Sequence, residues 1–153
     1  MDHTFFKERK AFAWSAFTNV AITDSQYLES DAPNIEGNKV EFVPLFNIKT
    51  GTAMGYKNFM ASVQFTYLSS QYTDANNSLT DINDNTYGIF GQIPEYYVAD
   101  FSCSYTLKNW KFEGGITNFT DNDYYTRRAT GYPGPGIIPS DGRLFYTTVG
   151  FIF

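Results

Sequence analysis

The chain has 153 residues and a formal charge of −5, which is length enough for one domain and too acidic a balance for nucleic acid, where phosphate neutralisation needs clustered Lys and Arg. Aromatic residues reach 19% while charged residues stop at 18%, against about a quarter charged in ordinary soluble domains. Mean hydropathy is −0.33 and no run of about 18 apolar residues occurs, so a transmembrane helix is excluded; a membrane β-barrel is not, because its strands alternate.

Cys103 is the only cysteine and His3 the only histidine. An intrachain disulfide, an all-cysteine zinc site, a histidine-based triad and a multi-histidine metal site are therefore excluded within the chain. His3 sits in the polar start Met1-Asp2-His3-Thr4-Phe5-Phe6-Lys7-Glu8-Arg9-Lys10, which has neither an apolar signal core nor a small-residue cleavage site, so no export signal is expected there. The chain is expected to be no enzyme and to carry no cofactor.

Six stretches alternate with period 2, the mark of strands. In the first, Phe12, Trp14, Ala16, Thr18, Val20 and Ile22 share one face and Ala13, Ser15, Phe17, Asn19 and Ala21 the other. The second sets Phe46, Ile48, Thr50, Thr52, Met54 and Tyr56 against Asn47, Lys49, Gly51, Ala53 and Gly55. The third sets Phe59, Ala61, Val63, Phe65 and Tyr67 against Met60, Ser62, Gln64, Thr66 and Leu68. The fourth sets Tyr97, Ala99, Phe101, Cys103, Tyr105 and Leu107 against Val98, Asp100, Ser102, Ser104 and Thr106. In the fifth, Trp110, Phe112, Gly114 and Ile116 oppose Lys111, Glu113, Gly115 and Thr117; in the last, Phe145, Thr147, Val149, Phe151 and Phe153 oppose Tyr146, Thr148, Gly150 and Ile152.

The connections alternate as well. Lys57-Asn58 and Lys108-Asn109 are two-residue links, whereas the segments 24–43, 71–95 and 118–142 are long. Short turns on one rim and long loops on the other is the layout of an outer-membrane barrel. A strand of ten residues rises roughly 33 Å and, tilted near 45°, projects to roughly 23 Å, close to the height of an apolar band of about 25 Å. Trp110, Tyr56, Phe59, Tyr105 and Tyr97 fall at strand ends, where an interfacial girdle of amphipathic rings belongs. The expected fold class is all-β: an antiparallel up-and-down transmembrane β-barrel segment of about six strands. Six strands leave the barrel incomplete, since single-chain bacterial barrels begin at eight and an open edge in lipid leaves backbone groups unpaired. Two alternatives stay open, a small passive outer-membrane barrel completed by oligomerisation and a soluble β-sandwich with ligand-binding loops, whose apolar rows would face each other across a core.

The segment from Ile93-Pro94 through Val98-Ala99-Asp100-Phe101-Ser102 to Phe153 resembles the C-terminal barrel strands of TonB-dependent outer-membrane receptors, especially those of the ferric-citrate type. Gly115-Ile116-Thr117-Asn118-Phe119-Thr120-Asp121-Asn122-Asp123-Tyr124-Tyr125 is similar to that family's motif of Gly, an apolar residue, Asn and Phe before a Tyr pair, and residues 126–143 resemble the loop that follows. Upstream, Gly37-Asn38 and Val43-Pro44 before Asn47 are similar to its long loop returning into a strand. The resemblance implies that residues 1–153 are the C-terminal part of a receptor barrel of about 22 strands, with the plug domain absent. It further implies location in the cell outer membrane and import of an iron chelate, a siderophore or a ferric citrate-like complex. The implied partners are outer-membrane lipid, the barrel-assembly machinery, the remaining barrel and plug, and the TonB energy-coupling complex reached through the missing N-terminal part. The terminal aromatic Phe153, with Phe151 and Val149 in register before it, is similar to the membrane-insertion signal of such barrels.

Arg127 and Arg128, in the last long loop, are the candidate ligand-binding residues, because guanidinium forks suit a carboxylate-rich anionic chelate. Their other reading is to hold lipopolysaccharide phosphate or to fold the loop through Asp121 and Asp123. Pro133, Gly134, Pro135, Gly136 and Pro139 are expected to stiffen that loop. Asp81-Ile82-Asn83-Asp84-Asn85 fails as a calcium loop, with Thr86 where an EF-hand has Gly and Gln92 where it has Glu. Asp100, Glu113, Lys49 and Lys111 share the polar face and are expected to hydrate it or to form cross-strand ion pairs of under about 1 kcal/mol.

Overall fold

The structure, a computed structural model, describes residues 12–79, 91–129 and 136–153. The N-terminal stretch with His3, the segment from Asp81 to Asn85 and Pro133-Gly134-Pro135 lie outside the described residues. Eight strands occur among those described: β1 (Ala13–Ile22), β2 (Phe46–Tyr56), β3 (Phe59–Leu68), β4 (Tyr96–Leu107), β5 (Trp110–Thr117), β6 (Tyr125–Ala129), β7 (Gly136–Pro139) and β8 (Leu144–Phe151). Six form one antiparallel sheet in the order β1-β2-β3-β4-β5-β8, and β6 and β7 form a separate two-stranded ribbon. The long strands are the six alternating stretches. The ribbon was not expected: strands of five and four residues are too short to show a period, and both lie in a segment rich in Gly and Pro.

The register places like residues opposite like. On one face Trp14 opposes Met54, Val20 opposes Ile48, Tyr67 opposes Tyr97, Phe112 opposes Val149 and Trp110 opposes Phe151, so a mainly apolar face, interrupted by the Thr18–Thr50 pair, continues across all six strands. On the other face Asn19 opposes Lys49, Gln64 opposes Asp100, and Ser62 and Ser102 share a 2.7 Å hydroxyl bond. No second layer among the described residues packs on the apolar row, and many of its large side chains stay exposed: Trp14 is 65% exposed, Val149 61% and Phe145 71%. The β-sandwich alternative fails on this point, because the only other sheet described is the small β6–β7 ribbon in the loops, and a sandwich requires two packed layers.

Two tight turns join β2 to β3 and β4 to β5, and in each the lysine takes positive φ, 51° at Lys57 and 53° at Lys108. Two-residue hairpins need that conformation at the first turn position to match strand twist. Tyr56, Phe59, Tyr105 and Trp110 line this rim, with the Trp110 and Phe151 rings 4.9 Å apart, edge to face. Tyr97 belongs to the opposite rim, where it opposes Tyr67 and stacks at 6.0 Å on Phe65. β8 ends at Phe151, so Phe153 lies beyond the strand rather than in its last position. The chain is still held there, since Ile152 donates to the Asn109 carbonyl and the Asn109 amide donates back to that of Ile152, each at 2.8 Å.

The outer edges of β1 and β8 are unpaired among the described residues. With six strands alternating in direction, β8 runs opposite to β1, so a seam between them would continue the antiparallel pattern. Side-chain burial among the described residues is concentrated toward the loop rim, where Ile93 and Asn118 are 0% and 2% exposed.

Candidate functional site

All three long connections emerge at the same end of the sheet and bind one another there. The β1–β2 connection is tied to the β3–β4 connection by Asn38 donating to the Ala75 carbonyl (2.9 Å), by the Lys39 amide donating to Asn77 Oδ1 (2.7 Å) and by Asn77 donating back to the Lys39 carbonyl (2.8 Å). Phe42, at φ 58°, donates its amide to the Tyr72 carbonyl. Within the first connection Tyr27 donates its hydroxyl to Glu41 at 2.5 Å, and Lys39 pairs with Asp24. The Glu41 carboxylate holds the Tyr27 proton in place, with partial burial and charge repulsion adding to it, so the phenol ionises above its ordinary range.

Asn118 organises the exit of β5. Its backbone amide donates to Asp100 Oδ1 at 2.9 Å; its side-chain amide donates to the Asn122 carbonyl at 2.9 Å; its side-chain oxygen accepts from Thr120 (3.2 Å) and from the Asn122 amide (3.1 Å). A positive φ of 48°, which Asn tolerates better than most residues, turns the chain out of the strand. Asn122 then donates to the Tyr97 carbonyl at 2.9 Å. The Gly-Ile-Thr-Asn-Phe motif is thus a strand-ending device whose Asn satisfies its own buried polar atoms. Asp100 serves this turn by accepting from the Asn118 amide.

The ribbon separates the two candidate arginines. Neighbours along a strand point to opposite faces, and Arg128 is 6% exposed while Arg127 is exposed. Arg128 donates to the Gln92 carbonyl (2.8 Å) and to the Tyr125 hydroxyl (3.0 Å), and its guanidinium lies 5.4 Å from the Tyr125 ring centre. Tyr125 itself donates to the Gln92 carbonyl at 3.2 Å. Gln92 adjoins Ile93, which exchanges two backbone bonds with Gln71, so Arg128 clamps the ribbon to the β3–β4 connection. Asp121 lies 3.3 Å from Arg143, beside which it is brought by the turn at Asn118.

On the polar face, Lys111 and Glu113 form a 2.7 Å ion pair. It runs along β5 and not across strands, because residues two apart share a face. No group of three or more His, Cys, Asp or Glu residues placed to hold a metal occurs among the described residues.

No family model matches the chain, and no curated protein matches it in sequence. Solved structures do match in fold. The ferric citrate transporter FecA, in its unliganded form, superposes with a TM-score of 0.77 at 22% identity over 90% of this chain and 21% of its own. The ferric yersiniabactin uptake receptor FyuA from Yersinia pestis gives 0.71 at 18% identity, over 92% of this chain and 21% of its own. The copper transporter OprC gives 0.62 at 16%, over 92% and 21%. The chain therefore spans about a fifth of the length of the receptors it matches. At these identities the likeness carries the fold: this chain has the fold of a six-stranded arc from the outer-membrane barrels of TonB-dependent receptors.

Proposed function

We propose that the chain supplies the last six transmembrane strands and three extracellular loops of a TonB-dependent receptor that imports an iron chelate across the outer membrane. The observation that carries this reading is the exposed, mainly apolar face across six antiparallel strands, on a fold shared over nine-tenths of the chain with a ferric citrate transporter. On this reading the apolar row meets lipid, the polar face lines the plugged lumen, and the long loops stand outside the cell. The role is transport, with no reaction catalysed. The edges of β1 and β8 pair with strands of the remaining barrel, and energy reaches the plug from the TonB complex. Phe151 and Val149 on the apolar row, with Phe153 after them, form the signal read by the barrel-assembly machinery. Of the two candidate arginines, Arg127 contacts the anionic chelate and Arg128 holds the ribbon that presents it.

A copper transporter shares the fold, so the fold by itself does not select the chelate. The test is the coding sequence upstream together with transport by its product. A plug and about sixteen further strands are expected there, taking a 22-stranded barrel as complete. Cells carrying the joined receptor are expected to accumulate labelled ferric chelate only when TonB is present. Uptake independent of TonB, or a six-stranded product that forms pores as an oligomer, would favour the small passive barrel instead.

A further inference from the structure

The β3–β4 connection is pinched shut at its base. Gln71 and Ile93 exchange two backbone bonds, at 3.1 and 2.9 Å, and the Thr73 hydroxyl donates to the carbonyl of Gly91, whose φ is 113°, at 2.6 Å. In an antiparallel ladder the residues next to a hydrogen-bonded pair turn their amides and carbonyls outward. Tyr72 and Gln92 hold that position beside the Gln71–Ile93 pair, so their carbonyls face opposite edges of this neck. The other two connections take one edge each. On the Tyr72 edge, Phe42 of the β1–β2 connection donates its amide at 2.8 Å, and the exchange between Asn77 and Lys39 adds a second tie farther out. On the Gln92 edge, Arg128 and Tyr125 of the ribbon donate at 2.8 and 3.2 Å. Tyr124, just before the ribbon, stacks at 4.7 Å on Tyr96, the first residue of β4.

We propose that this neck is a coupling hub: the three connections open as one cooperative body, and loosening either outer one loosens the other through the Tyr72 and Gln92 carbonyls. Loops anchored only to the sheet would open independently, each with its own local free energy. Here the β1–β2 connection and the ribbon share a support whose Ile93 is the most buried side chain among the described residues. Phe42 adds the all-or-none character. Its φ of 58° is costly for a bulky residue and persists only while its surroundings hold it. Breaking the bond to Tyr72 releases that strain, so a joint that begins to open gains by opening fully. Coupling of this kind is reciprocal: each outer connection shifts the other by the same factor.

The test is residue-resolved amide hydrogen exchange on the full chain in non-ionic detergent micelles, with far-UV circular dichroism of every variant to check for the sheet. Asn77→Gly removes both bonds to Lys39, accommodates the φ of 54° at that position and leaves the neck and ribbon side chains alone. It is expected to speed exchange about tenfold at the Phe42, Gln71 and Ile93 amides, and equally at the Ser140 amide, which donates to the Tyr124 carbonyl beyond the neck. Arg128→Ala is expected to act in the other direction, speeding exchange at Lys39 and Phe42 by a similar factor. Tyr125→Phe, which takes one hydroxyl from the same joint, is expected to do so by a smaller factor and decides the ribbon side if Arg128→Ala shows no sheet. The Gln64 amide, within β3, is expected to stay unchanged in all three. Acceleration confined to the connection that carries the substitution overturns the hub. Acceleration of Gln64 by the same factor is a general loosening of the fold and overturns it as well. A sheet that forms in water is measured in the same way, so failure of the bilayer reading and failure of the hub are told apart.

Discussion

The Tyr146 hydroxyl lies directly over Gly115: a Cβ built on that glycine would stand 2.5 Å from the Tyr146 oxygen and 2.6 Å from the Phe101 carbonyl. The two residues are opposed in the β5–β8 register on the polar face, so the ring covers a stretch of backbone that a glycine leaves bare. Phe17, the one aromatic residue in the polar row of β1, does the same over Gly51, where a Cβ would meet its ring at 2.5 Å.

Gly115→Ala is therefore expected to destabilise the sheet by about 1–3 kcal/mol, because the Phe101 carbonyl is backbone and cannot move aside. The adjacent Gly114, on the apolar face, has nothing nearer than 3.5 Å, and Gly114→Ala is expected to stay within about 0.5 kcal/mol of the parent. Urea unfolding in detergent micelles measures both; equal effects would remove the ring-over-glycine account.

The two arginines should separate under mutation. Arg128→Ala removes a nearly buried cation that donates to Gln92 and Tyr125, and about 2 kcal/mol of stability should go with it. Arg127→Ala should leave unfolding unchanged and weaken chelate binding by about tenfold in a receptor containing this segment. Binding titrations alongside thermal melts distinguish the two roles, and a loss of binding confined to Arg128→Ala would reverse the assignment.

Positive φ strains a side chain that glycine would not have, by roughly 1–2 kcal/mol. Lys108→Gly is accordingly expected to stabilise the β4–β5 hairpin by about 1 kcal/mol. Lys57→Gly should gain less, because the Lys57 ammonium lies 5.2 Å from the centre of the Tyr56 ring and that contact, worth roughly 0.5–1 kcal/mol when exposed, would go with it. Denaturant midpoints of the two variants give the comparison.

Tyr27 sets a pH limit on the β1–β2 loop. Its folded pKa is raised, so the folded chain keeps the proton longer than the unfolded one. Its contribution is complete below the unfolded value near 10 and is lost as pH rises through the higher folded value. Amide hydrogen exchange at Gly37 and Asn38, which bond back to the Tyr27 and Ile35 carbonyls, should show opening of the loop above that pH. Tyr27→Phe should remove this step, and an identical profile in the variant would rule the phenol out.

Of the architecture, the six long strands, their two faces, both tight turns and the segregation of long loops to one rim were all legible in the sequence. Alternation has a period of two residues and is repeated for about ten, so it stands out without any knowledge of what each strand pairs with. The β6–β7 ribbon was not legible, because its strands are shorter than the pattern needs. Nor was the different placement of Arg127, exposed, and Arg128, buried: a pair of adjacent arginines reads as one basic spot until a strand turns them to opposite sides.

What the sequence alone determined is which residues lie in strands and which face of each strand is greasy, since both follow from local chain geometry. Tertiary structure alone decided what depends on residues brought together from distant positions. Asn118 had to meet Asp100 and Asn122 to become a turn, Arg128 had to reach Gln92, and Gln71 had to pair with Ile93 before the β3–β4 connection gained a neck. Those meetings are set by strand register and loop closure, which act between segments and leave no periodic trace along the chain.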